Sequence, residues 1–173
     1  MTTSQISQQE AAQELLNRRK ARASLIDFTS YTNDLYVAAE HHKIIAEKLE
    51  AVERGEITRL IICMPPRHGK SELASRRFPA WYLGKNPDKQ IIAASYNSDL
   101  ASDFGREVRN IVASPEYQNI FDVSLAADSK AANRWHTSSK GMYVAAGVGT
   151  AVTGRGANIL LIDDPFKDRQ EAD

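Results

Sequence analysis

Stretches of helical periodicity alternate with short apolar runs along the chain. Apolar residues spaced three and four positions apart predict a helix over 40–54, and Gly55 provides a natural end for it. The polar residues before this helix predict a helical arm over 1–39. Its basic cluster at 18–22 either faces solvent or contacts nucleic acid or a partner subunit. Residues 40–173 form the second predicted unit.

Short apolar segments predict the β-strands of this second unit. In chain order they are 58–64, Gln90–Ser95, a hairpin formed by 134–137 and 142–146, and Ile159–Ile162. A helix from Gly69 toward Arg77, ending before Pro79, and a helix capped by Asn97 or Ser98 separate the first three of them. Strands that alternate with helices indicate an α/β fold with a largely parallel sheet.

Composition narrows the class of protein. The 173 residues are 42% hydrophobic and carry 22 basic and 22 acidic side chains, which is typical of a globular domain and excludes a disordered chain or a coiled coil. The longest apolar run, 60–64, is far shorter than a membrane span. The single cysteine, Cys63, excludes an internal disulfide and predicts a buried thiol. The polar N-terminus lacks a secretory signal, so we expect a cytoplasmic protein.

The strongest chemical signal is a loop between a predicted strand and a predicted helix. Its residues are Pro66, Arg67, His68, Gly69, Lys70, Ser71 and Glu72. Backbone N–H groups at a helix N-terminus bind phosphate, Gly69 permits close approach, Lys70 would reach the β- and γ-phosphates, and Ser71 would ligate Mg²⁺. Met64 stands where the full phosphate-loop pattern has glycine, and an exposed loop lysine is the alternative interpretation.

The second signal is the acidic pair that follows Ile159–Ile162. Carboxylates at the C-terminal end of a buried strand lie where α/β sheets bind ligands. Asp163 would bind Mg²⁺, and Asp164 would act as a general base toward the attacking water. Aspartate that caps a turn is the alternative interpretation of this pair.

Two further sets of residues have candidate chemistry. Arg155 lies in the glycine-rich loop 147–156, from which it could act as an arginine finger, although such loops are often without function. His41 and His42 are adjacent on a predicted helix, so we expect their side chains to point to different faces and not to share a metal.

Together these segments resemble the ATPase half of the large terminase subunits of tailed bacteriophages. The likeness runs over about 40–168 and is carried by 53–62, 65–72, 94–97 and 153–165. It implies a P-loop NTPase fold of the ASCE/RecA-like type, a three-layer sandwich with a mostly parallel sheet. It also implies an ATP- and Mg²⁺-dependent motor that packages double-stranded DNA in the host bacterial cytoplasm. The implied partners are a small terminase subunit, a portal protein and identical subunits in a ring on the prohead.

The resemblance also implies residue roles. Lys70 and Ser71 match the Walker A lysine and hydroxyl, and Asp163 matches the Walker B aspartate. Asp164 occupies the position where many members have a glutamate as catalytic base. Arg155 resembles the arginine that reaches a neighbouring active site in such rings.

The strand that separates the Walker A and Walker B strands in this class would follow Asp173, as would a ribonuclease-H-like nuclease domain. We therefore expect a fragment that is incomplete at its C-terminal end, with a missing central strand, low stability and little turnover of its own. Arg67 resembles an arginine found within Walker A, at a shorter spacing than in some members.

Two other interpretations remain open. One is a P-loop ATPase or helicase-like protein unrelated to packaging, and the other is a silent prophage remnant that binds nucleotide or DNA. Candidate DNA-contacting side chains are basic and scattered: Arg18, Arg19, Lys20, Arg22, Arg106, Arg109 and Lys130.

Overall fold

The computed structural model of the protein describes residues 7–129, 131–149 and 156–166. In chain order, the elements of this part are α1 (Gln8–Ala23), α2 (Leu25–Tyr31), α3 (Glu40–Glu53), a π-helical segment (Glu72–Arg77) that continues into α4 (Phe78–Lys85), β1 (Gln90–Ser95), α5 (Ser98–Ala113), α6 (Pro115–Ile120), β2 (Arg134–His136), β3 (Met142–Gly147) and β4 (Ile159–Ile162).

The four strands form one mixed sheet in the order β2-β3-β1-β4. Strand β1 is parallel to both of its neighbours, and Ala93 pairs with Ala145 of β3 and Leu161 of β4. Strand β2 runs antiparallel to β3, as a hairpin requires. The α/β class and the mainly parallel sheet are confirmed. The P-loop fold and its three-layer arrangement stay predictions.

The prediction of a strand over 58–64 is wrong. This segment forms no ladder with any strand of the described ranges. Leu60 and Ile62 pack against the core, whereas Ile61 is 87% exposed and the thiol of Cys63 is exposed instead of buried. The apolar run therefore buries one side only, and an apolar run becomes a strand only where a neighbouring backbone offers hydrogen bonds.

An open groove of about 770 Å³ separates this segment from β4. Within the described residues, β4 pairs with β1 and leaves its other edge open toward the groove. Leu160 on this strand is 63% exposed, which is unusual for a strand made only of aliphatic residues. Aliphatic side chains such as Leu60 and Leu161 line the groove together with polar ones such as Arg59 and Asn158. The missing central strand stays a prediction.

The main core lies on one face of the sheet. It joins alternate residues of β1 and β3, such as Ile91 and Tyr143, to residues from each α-helix given above. The other face carries a separate small cluster formed by Ile92, Met142 and Val144. None of the helices in the described ranges is long and apolar enough to cross a membrane.

The N-terminal helices are not a solvated arm over their whole length. Ala21, Leu25 and Phe28 are fully buried in the main core, and the indole Nε1 of Trp81 donates to the carbonyl oxygen of Ala21 at 3.2 Å. Leu15, earlier in α1, remains exposed. The domain boundary at residue 39 stays a prediction, although α2 shares its core with α3 and α4.

The helix that follows the Gly69 loop runs past Pro79 to Lys85, further than the sequence predicts. The backbone preceding Pro79 is π-helical, and the N–H of Phe78 donates to the carbonyl of Leu73, five residues earlier. A π-helical turn is wider than an α-helical one, so it accommodates a residue that lacks an N–H and crowds the preceding turn.

Candidate functional site

The Gly69 loop, which we define as residues 65–69, leads directly into a helical run that begins at Lys70. Arg67 and Gly69 have φ values of +63° and +81°, so the loop turns sharply twice. The ring Nδ1–H of His68 donates to the carbonyl oxygen of Pro66 at 2.8 Å, and the N–H of Leu73 donates to the carbonyl of Gly69. These bonds hold the loop at the start of the helix.

A cleft of about 520 Å³ lies beside this loop. Six of the seven predicted loop residues line it, namely Pro66, Arg67, Gly69, Lys70, Ser71 and Glu72, and so does Asp164. The seventh, His68, turns its ring back toward Pro66. Glu72 also accepts a hydrogen bond from Arg77 Nε at 2.8 Å, within the helix. The cleft has the volume typical of a small-molecule site.

Lys70 and the acidic pair come together although they are far apart in the sequence. The ammonium Nζ of Lys70 lies 2.8 Å from Asp163 Oδ1 and 2.7 Å from Asp164 Oδ1. The Asp163 side chain is 6% exposed and that of Asp164 is 61% exposed. The carbonyl of Asp164 accepts from the N–H of Tyr96, which fixes the end of β4 beside the end of β1.

A buried hydroxyl holds the second oxygen of Asp163. Ser75 Oγ donates to Asp163 Oδ2 at 2.6 Å, and both side chains are buried. Burial alone would raise the pKa of Asp163, but hydrogen bonds from Lys70, Ser75 and Ser71 outweigh it and lower that pKa. Burial likewise opposes the charge on Lys70, but bonds to the two carboxylates raise its pKa. Lys70 and Asp163 therefore form an ion pair at neutral pH.

Sequence reasoning missed Ser75 as part of this site. Ser75 and Ser71 are four positions apart on one helix, so their hydroxyls share a face. That spacing is the signal that identifies Ser75 once Ser71 is a candidate.

The expectation that His41 and His42 point to different faces is also wrong. Their Nε2 atoms lie 3.3 Å and 2.9 Å from one and the same atom, the carbonyl oxygen of His68. Both residues are in the first turn of α3, where Cα–Cβ bonds tilt toward the helix N-terminus, so both rings reach a group placed over that end. Their contact with the Gly69 loop was not predicted.

Two predicted positions lie outside the described residues. They are Arg155, in the glycine-rich loop, and Lys130, among the candidate DNA contacts. Their roles stay predictions.

A family model described as the N-terminal part of the terminase large subunit, T4likevirus-type, matches residues 61–173, well over half of the chain. The chain belongs to this terminase family. No curated protein matches it. No solved structure matches it either. The terminase match includes the Gly69 loop, all four strands and the acidic pair, whereas α1, α2 and α3 precede it. His41 and His42 therefore lie outside the part of the chain that the terminase family describes.

Proposed function

We propose that this terminase chain binds Mg²⁺–ATP in the cleft beside the Gly69 loop and hydrolyses it to drive DNA packaging. The observation that carries the proposal is the convergence of Lys70 with Asp163 and Asp164 at one end of the sheet. A lysine at the start of a helix beside carboxylates at a strand end provides one group for phosphate and others for the metal.

The residues present fit a magnesium nucleotide. A hydroxyl from Ser71 and a carboxylate from Asp163 are the oxygen ligands that Mg²⁺ prefers, and the Ser71 hydroxyl contributes to lowering the pKa of Asp163. Lys70 now neutralises the charge of Asp163. With nucleotide bound, the metal would neutralise Asp163, and Lys70 would be free to contact phosphate oxygens. Mg²⁺ would stabilise the charge that develops on the transferred phosphoryl group.

The remaining roles concern the attacking water. Asp164 is mostly exposed at the cleft, so its carboxylate can accept a proton from, or orient, a water molecule in front of the γ-phosphate. Its φ of +47° places its backbone in the left-handed region, which residues other than glycine seldom adopt. Arg155 would supply positive charge to a neighbouring subunit's site.

Binding of a fluorescent ATP analogue to the full chain tests this proposal. We expect Lys70→Ala to weaken Mg²⁺–ATP binding by at least tenfold and Asp163→Asn to abolish its dependence on Mg²⁺. Lys43→Ala is the matched control, because Lys43 forms only an exposed pair with Glu40. Equal binding by Lys70→Ala and the control would refute the proposal. Binding without phosphate release would favour the silent nucleotide-binding alternative.

The packaging partners belong to the same proposal. Double-stranded DNA, a small terminase subunit, a portal protein and a ring of identical subunits in the host cytoplasm follow from the family. DNA binding through phosphate contacts should weaken steeply between 50 and 200 mM salt, roughly as a power of the salt concentration. A flat response in a filter-binding assay would contradict a DNA-contacting role for this chain.

A further inference from the structure

One imidazole ring connects the first turn of α3 with the Gly69 loop. The backbone N–H of Ala39 donates to His42 Nδ1 at 3.1 Å, so Nδ1 carries no proton and Nε2 carries it. His42 Nε2–H then donates to the carbonyl oxygen of His68 at 2.9 Å. The same ring thus caps the helix and holds the loop.

Close packing fixes the orientation of this ring. The rings of Tyr36 and His41 have centroids 5.4 Å and 4.1 Å from that of His42. A Cβ on Gly69 would stand 2.5 Å from His42 Nε2, so only glycine lets the ring approach this close. The contact therefore depends on the loop residue as much as on the histidine.

The direction of the His68 carbonyl decides where the next N–H points. A trans peptide is planar, and its C=O and N–H groups point in opposite directions. Because His42 draws the His68 carbonyl toward α3, the N–H of Gly69 points away from α3. Gly69 lines the cleft, and N–H groups at the start of a helix are the donors that bind anions.

We propose that His42 is a positioning residue that holds the His68 carbonyl and thereby aims the Gly69 N–H at a phosphate of the bound nucleotide. The inference rests on the proposed function of the cleft and adds a residue that the family match does not reach. The Nε2 atom of the adjacent residue, His41, lies 3.3 Å from the same carbonyl oxygen and so also contacts it.

Three substitutions at His42 separate the possible causes of weaker Mg²⁺–ATP binding. Gln keeps an acceptor for the cap and an N–H donor for the loop, Glu keeps the acceptor alone, and Met keeps neither. We expect His42→Gln to bind Mg²⁺–ATP within about threefold of wild type. We expect His42→Glu and His42→Met to bind about tenfold more weakly, in the range for loss of a hydrogen bond to a charged group.

Comparing Mg²⁺–ATP binding by the three variants shows which cause applies. Weak binding by Glu alone, relieved by salt, would mean electrostatic repulsion and would overturn the proposal. Weak binding by Met alone would mean that only the helix cap matters, and would overturn it as well. Equal binding by all three would show that the loop needs no such contact.

Hydrogen exchange of the full chain without nucleotide keeps this test independent of the proposed function. We expect faster exchange at Leu73, whose N–H donates to the carbonyl of Gly69, in His42→Glu and His42→Met, but not in His42→Gln. A wild-type chain that binds no Mg²⁺–ATP would refute the proposed function and the phosphate-aiming role together. Unchanged exchange in all variants would refute the contact between His42 and the loop itself.

Discussion

Replacing Lys70 with methionine removes the one ammonium that Asp163 and Asp164 share, while keeping a side chain of similar length. Loss of one partner from a fully buried ion pair typically costs about 3–5 kcal/mol. The cost here is smaller, because Lys70 is 26% exposed and Asp163 keeps its bond from Ser75. We expect the free energy of unfolding to fall by about 2 kcal/mol, the range for a hydrogen bond to a charged group. For a chain of this size, Tm would fall by roughly 4–8 °C.

The loss of stability in Lys70→Met should depend on pH, and the directions of the two pKa shifts determine how. The pKa of Asp163 is lowered in the folded protein, so its contribution is present above the unfolded value, about 3.9, and disappears as pH falls. The pKa of Lys70 is raised, so its contribution is present below about 10.4 and disappears as pH rises past the folded value. The stability difference between wild type and Lys70→Met is therefore greatest from about pH 5 to pH 9.

Urea denaturation of both chains at pH 3, 5, 7 and 9 measures this difference. Lys43→Met is the matched control, since its exposed pair with Glu40 contributes less than about 0.5 kcal/mol. A difference between wild type and Lys70→Met that stays constant from pH 7 to pH 3 would refute the ion pair. So would a Lys70→Met chain as stable as the control at pH 7.

Three further substitutions test separate features. Ser75→Ala removes the 2.6 Å bond to Asp163 and should lower the free energy of unfolding by about 1–3 kcal/mol in a urea titration; an unchanged midpoint would contradict that bond. Gly69→Ala places a Cβ 2.5 Å from His42 Nε2 at a φ of +81°, so we expect Tm to fall and Mg²⁺–ATP binding to weaken; full binding would show that the loop tolerates a side chain. Ile61→Asp should change stability by at most about 0.5 kcal/mol, because the residue is 87% exposed; a loss above 2 kcal/mol would indicate burial in a strand.

Elements with complete local signals could be predicted from the sequence. Strand β1 has the predicted bounds, because its apolar run is delimited by turn and cap residues on both sides. Of the two predicted cap residues, Asn97 or Ser98, Asn97 caps α5, with its side chain accepting from the N–H of Leu100 at 2.8 Å. The helix over 40–54 ends where Gly55 adopts a φ of +75°.

Features that depend on distant partners could not be predicted in this way. The run at 58–64 has the composition of a strand, but pairing requires a second backbone, and the groove separates it from β4. The helix continues through Pro79 because the π-helical turn before it relieves the clash of the proline ring with that turn. The sequence pattern gives no signal for a π-helical turn.

The candidate site likewise contains residues that could be predicted from the sequence and residues that could not. Lys70, Asp163 and Asp164 were candidates because each stands at the junction of a predicted strand with a helix or a turn. Ser75 and His42 are single residues within helices, and their roles depend on which groups the fold brings next to them.

The edge of β4 that is open within the described part of the chain has a consequence for handling the protein. The strand consists of four aliphatic residues and contains no charge or proline, the devices by which natural sheets prevent an edge from recruiting another chain. At crystallisation concentrations, we therefore expect copies to self-associate through this edge, and light scattering to fall when Leu160 is replaced by lysine. Quantitative work on this chain calls for dilute samples.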